Sequence, residues 1–113
     1  MAKGPKALKI VFSPSAQADL VSIWQWSAEH HGERTATSYA KFLLDEVERI
    51  ATSPLIGVRV SGVTGVFRFL AKRRSRGYGH IVFYAVRGEA LYVLALFHSA
   101  QDWQSKIEGM EEP

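Results

Sequence analysis

The side chains that could do chemistry lie mostly in the C-terminal half of the chain: His80, His98, Tyr84, Arg68 and Arg76. Those residue types suffice for metal-free RNA cleavage. In that reaction a base takes the 2′-OH proton, an acid protonates the leaving oxygen, and cations hold the charge that develops between them. His80, His98 and Tyr84 are candidates for the proton steps, with Arg68 and Arg76 as charge stabilisers. Other chemistries lack their parts. His30, His31, His80 and His98 show no ligand spacing with a carboxylate in register, and the chain has no Cys, so no metal site is expected. Adjacent His30 and His31 instead suit the negative end of a helix. GVTGVF lacks the Lys-Ser/Thr end of a phosphate loop, and no Gly-x-Ser-x-Gly elbow occurs. No cofactor is expected.

Cooperation between the two strand-end histidines depends on register. GHIVFYAV and ALYVLALFH are nearly continuous apolar runs, as in central strands covered on both faces. Gly88-Glu89 between them reads as a two-residue turn. Strict pairing outward from that turn sets His80 against Phe97 and His98 against Gly79, which puts the histidines on opposite faces unless a bulge intervenes. The sequence therefore predicts no acid/base pair, and no catalytic residue is assigned. Were the protein a nuclease, its candidates would be Arg68, Arg76, Tyr84 and His98.

Charge carries a stronger signal. The net charge is only +3, yet no acidic residue stands between Glu48 and Glu89, and that interval holds eight of the 14 Lys and Arg. Segregation of this kind makes a basic face that attracts nucleic acid, an acidic protein or an acidic peptide. Arg59, Arg68, Lys72, Arg73, Arg74 and Arg76 are the candidate target-binding residues.

The elements that must position these groups follow from periodicity. The 113 residues form one domain, with 1–6 as a loose leader and 104–113 as a polar tail. ALKIVFS predicts an edge strand with Leu8, Ile10 and Phe12 on one face. Ser13-Pro14 is a helix start, and Ala16, Leu20, Ile23, Trp24 and Ser27 form a stripe that Gly32 closes. A second helix is predicted from about Glu33 to Ser53, with Ala36, Tyr39, Leu43, Val47, Ile50 and Ala51 inward and Pro54 ending it. In VFRFL, Phe67 and Phe69 share the buried face, so Arg68 looks the other way. The fold class is α+β: an N-terminal strand, an antiparallel two-helix hairpin, then a three- to four-stranded antiparallel sheet. At 100° per residue, Trp26 lies about 100° and Phe42 about 130° from the centres of their helices' buried stripes. Both are candidate anchors of a protein interface. Nothing resembles a signal peptide, and no apolar run would span a bilayer, so a cytoplasmic, membrane-free protein is expected.

The order and spacing of these residues resemble the RelE/ParE superfamily of bacterial type II toxins, closest to the ParE branch. The likeness runs from Leu8 to Trp103. It includes Ser13-Pro14-x-Ala16-x-x-Asp19-Leu20 with Ile23, then Gly32, Ala36, Ser53-Pro54-x-x-Gly57, Arg59, Arg68, Ile81 with Tyr84, and His98. The resemblance implies a toxin that poisons DNA gyrase and is held by a ParD-like antitoxin, through which DNA contact is mainly made. The antitoxin's C-terminal segment would wrap the helical hairpin at Trp26 and Phe42. A RelE-like, ribosome-dependent mRNA endonuclease is the alternative on the same fold. Many relatives carry Arg where His80 stands, and one or two Arg where this chain has Ser99-Ala100-Gln101.

Overall fold

Ser13 starts the first helix as its sequence signature predicts. In the computed structural model, which describes residues 7–107, its backbone is extended and its Oγ accepts the Ala16 N–H at 3.0 Å. Helix α1 runs Pro14–His31 and α2 runs Glu33–Thr52. A single residue, Gly32, ends one helix and caps the next. Its φ of 91° lies in the left-handed region that glycine adopts without steric cost, and this lets the chain reverse at once into a hairpin. In α2 the inward stripe is as expected: Ala36, Leu43, Val47, Ile50 and Ala51 are buried and Tyr39 is partly so.

The sheet has five strands in the order β1-β5-β4-β3-β2. Strand β1 (Lys9–Phe12) lies at one edge, parallel to β5 (Ala90–His98). The other pairings, β5 with β4 (His80–Arg87), β4 with β3 (Phe67–Ala71) and β3 with β2 (Val58–Arg59), are antiparallel. A short 3₁₀ turn, Pro54–Ile56, leads from α2 into β2.

Both faces of the sheet are covered, which is why β4 and β5 read as continuous apolar runs. The helix side carries the main core, including Leu43, Ile50, Val82, Tyr84, Leu91 and Val93, with Leu8, Ile10, Phe12, Phe67 and Phe69 packed against it. On the far side Ile81, Phe83, Ala95 and Ile107 form a second cluster with Phe97 and Trp103. Its cover is a short helix, α3 (Trp103–Ile107), at the start of the polar tail. The expected leader, 1–6, and the end of the tail, 108–113, lie outside the described residues. Among the described residues no helix is long and apolar enough to cross a membrane.

Candidate functional site

The Gly88-Glu89 turn forms as predicted and pairs Arg87 with Ala90, but the register it sets does not survive to the strand ends. Tyr84 pairs with Val93 and Phe83 with Ala95, so Leu94 is an extra residue in β5, a β-bulge. One added residue inverts every side chain beyond it. His80 therefore pairs with His98, not with Phe97, and the two rings meet edge to face with centroids 5.3 Å apart. The expectation of opposite faces is overturned.

Helix α1 holds the bulge in place. The Ser13 Oγ that caps the helix donates to the Leu94 carbonyl at 2.8 Å, and the Ser13 N–H donates to the Val93 carbonyl. Six residues on, the Asp19 carboxylate accepts the Leu96 N–H at 2.9 Å. Desolvation raises the Asp19 pKa against the lowering effects of that bond and of Lys106. Groups that regular pairing would have satisfied are thus bonded by the helix instead.

Beyond the bulge the strand ends are laced together. Ser99 donates its N–H to the Gly79 carbonyl, and its Oγ accepts the Gly79 N–H. The Gln101 Oε1 accepts the His98 N–H at 2.8 Å. His98 Nδ1 accepts the Ala100 N–H at 3.1 Å, which in the neutral ring leaves the proton on Nε2. His80 Nδ1 lies 2.6 Å from the Tyr39 hydroxyl. Burial, with the neighbouring His98 second, pulls the His80 pKa down to about 4, so the ring is neutral at pH 7. Burial pushes Tyr39 up to about 12, partly opposed by Arg73, so its hydroxyl keeps its proton.

These residues floor a cleft of about 1050 Å³. One wall is the hairpin, with Trp26, His31 and Tyr39. The other is the loop between β3 and β4, with Arg73, Arg74, Arg76 and Tyr78. The loop's three arginines are exposed, and among the described residues no ion pair involves them. Arg73 donates to Ser38 Oγ and Lys72 to the Ser75 carbonyl. Tyr78 is 74% exposed and rests near His98.

The remaining candidates fall elsewhere. Arg68 does face away from Phe67 and Phe69, but its guanidinium lies 5.3 Å from the Trp103 ring, on the α3 side of the sheet. Arg59 sits over Phe67 on the helix side, at the β2 edge. The basic residues therefore form a loop cluster and two separate cation–aromatic contacts, not one surface. Tyr84 is fully buried; its hydroxyl donates to the Pro54 carbonyl at 2.6 Å and accepts the Gly57 N–H at 3.0 Å. Of the nuclease set, only Arg76 and His98 share the cleft. Trp26 is 56% exposed and stacked on His30 at 4.0 Å, whereas Phe42 is half-buried against Tyr39 and the core.

Sequence reasoning missed Tyr39 as a partner of His80, Asp19 as a support of the bulge, and Tyr78 as an exposed aromatic beside the histidines. Ser13 was legible as a cap, but its second bond, to Leu94, bridges 81 residues of sequence and leaves no local mark.

The chain thus sets a helical hairpin on a mixed sheet with a cationic loop at the sheet's end, and comparison with known proteins identifies its family. The family model described as "ParE toxin of type II toxin-antitoxin system, parDE" matches residues 10–103. The chain belongs to this family of ParE toxins. Two similar proteins are Toxin ParE1 of Mycobacterium tuberculosis, 32% identical over 83% of this chain and 92% of the relative, and Toxin ParE1 of Caulobacter vibrioides, 30% identical over 84% and 93%. A solved structure titled "Chromosomal ParDE TA system from P. aeruginosa" shares the fold. Its TM-score is 0.67 at 18% identity, over 80% of this chain and 95% of that one.

Proposed function

We propose that this ParE-type toxin arrests growth by binding DNA gyrase through the loop Lys72–Arg76 without performing catalysis itself, and that a ParD-like antitoxin neutralises it. The observation that carries the reading is the loop. Arg73, Arg74 and Arg76 stand exposed on one connection, without a carboxylate partner among the described residues. Cations left in water beside a cleft steer association with an acidic or phosphate-rich partner. The hairpin offers the antitoxin a different kind of surface. Val21, Trp26 and Leu44 are exposed apolar side chains on α1 and α2, suited to the apolar face of an ordering segment.

One observation favours the nuclease alternative: the bulge does bring His80 and His98 together. The pair is poorly suited to proton transfer. His80 has its Nδ1 engaged by Tyr39 and resists protonation, and Tyr84 and Arg68 are remote from the cleft.

The test runs a gyrase supercoiling and DNA-cleavage assay beside a ribosome-bound mRNA cleavage assay. Trapped cleaved DNA is expected in the first and intact message in the second. Message cleavage with gyrase untouched would overturn the reading. Reversing charge with Arg73→Glu, Arg74→Glu and Arg76→Glu together should abolish gyrase inhibition while leaving antitoxin affinity within about threefold, as calorimetry would show.

A further inference from the structure

The cleft has features that a protein-docking loop does not require. Its floor offers hydrogen-bond donors. Tyr39 retains its proton and its hydroxyl meets His80 Nδ1; with Tyr39 as the donor there, His80 Nε2 is left as an N–H. His98, whose Nδ1 accepts from Ala100, likewise presents Nε2–H. Two imidazoles in contact, each with its Nδ1 engaged and its Nε2 open to donate, suit an anion. Around them stand Arg73, Arg74, Arg76 and Lys106; among the described residues the one lining carboxylate is Asp19, which is already bonded to Leu96. At the mouth Tyr78 exposes most of its ring while its position is steadied by His98. Trp26 stands on the opposite wall, stacked on His30. The volume is at the upper end of small-molecule sites, roughly 300–1,000 Å³, and leaves room for more than one nucleotide.

We infer that this cleft binds single-stranded nucleic acid directly, with a backbone phosphate held between Arg74, Arg76 and the His80–His98 floor and a base stacked on Tyr78. Cationic groups that track phosphates, joined to an aromatic platform, are the two parts that sequence-tolerant strand binding needs. An acidic peptide would use the cations but has no use for the platform. The inference does not depend on gyrase being the target, since it concerns binding by the isolated chain.

The experiment is fluorescence anisotropy of the full-length protein with labelled oligothymidylate and oligouridylate at near-physiological salt. Binding to at least one is expected. Tyr78→Ala should weaken it by about 5- to 100-fold and Tyr78→Phe should restore it, because stacking needs the ring and not the hydroxyl. Arg74→Ala with Arg76→Ala should weaken binding at least about tenfold and reduce the salt slope by about 2, while Arg59→Ala, outside the cleft, should change it less than about threefold. Thermal unfolding of each variant checks that the fold is retained. Four results would each overturn the proposal: no binding to either oligonucleotide, equal or tighter binding of the matching duplex, equal losses for Arg59→Ala and the loop pair, or full competition by polyaspartate. A gyrase assay that fails while oligonucleotide binding succeeds would sink the target assignment and leave this site standing.

Discussion

The helix-facing side of β4 and β5 carries two polar–aromatic groups, one on each side of the Leu94 bulge, and they have opposite characters. At Tyr84 the group is closed. The ring is buried and stacked on Phe67, and the hydroxyl both donates to Pro54 and accepts from Gly57, using donor and acceptor alike. At His80 and His98 the group is open. Tyr39 and Ala100 take one nitrogen of each ring, and the remaining nitrogens belong to a cleft walled by cations. Residue types that look alike in the sequence therefore do different work. A polar group whose valences are satisfied internally stabilises, and one left with valences facing a cleft is available to a ligand.

The largest expected effect tests the closed end. Gly57 packs so tightly that a Cβ there would run into the Tyr84 hydroxyl and the Arg68 carbonyl. Gly57→Ala must displace one of them, breaking a buried hydrogen-bond pair, and should destabilise the fold by about 2–4 kcal/mol in urea unfolding. A loss below about 1 kcal/mol would mean that this end is loosely built, and the contrast would fail.

The link between the two ends comes next. Asp19→Ala leaves the Leu96 N–H without its partner beside the bulge, at a cost of about 1–3 kcal/mol. Its sharper consequence is local. If Asp19 and Ser13 hold the register, loosening them should separate the rings, so NMR contacts between His80 and His98 should weaken while those of Tyr84 with Phe67 persist. Unchanged His80–His98 contacts would show that the bulge needs no help from α1.

Register is also where the sequence was least legible. The helices could be read because their signals are local: Ser13-Pro14 starts α1, Gly32 separates the pair, and Pro54 stops α2. The outward direction of Arg68 followed from strand alternation alone, and the basic loop from the absence of acids. The bulge had no such marker. In ALYVLALFH apolar residues fill both faces, so an inserted Leu94 interrupts no pattern, and the groups that fix it come from a helix some 80 residues earlier. The Arg68–Trp103 contact and the Tyr39–His80 bond were hidden for the same reason, because each joins elements whose docking the sequence does not state.

Acid should affect the open end selectively. The folded chain protonates His80 only near pH 4, whereas an unfolded histidine titrates near 6.5. Between those values the unfolded state binds more protons, so stability should be flat above about pH 7 and fall as pH drops from 6.5 toward 4. After allowance for partial solvent contact the loss is roughly 2 kcal/mol. Asp19, raised by desolvation, acts in the opposite sense at the acid end, because its folded form takes up a proton first. The His80 share is therefore the difference between the wild-type protein and His80→Gln in parallel unfolding series. Identical pH slopes for the two proteins would show that His80 is not held neutral.

The smallest change in stability belongs at the cleft mouth, and there the comparison is most exposed to refutation. Tyr78 has three-quarters of its surface in water, and its one described contact is with His98. Removing it exposes no buried donor and opens no cavity, so Tyr78→Ala should move the unfolding free energy by no more than about 0.5 kcal/mol. With so small a share in the fold, the substitution should be visible in ligand binding instead. If Tyr78→Ala costs stability on the scale of Gly57→Ala, the open end is structural after all, and the division of this sheet face into a closed support and an open site collapses.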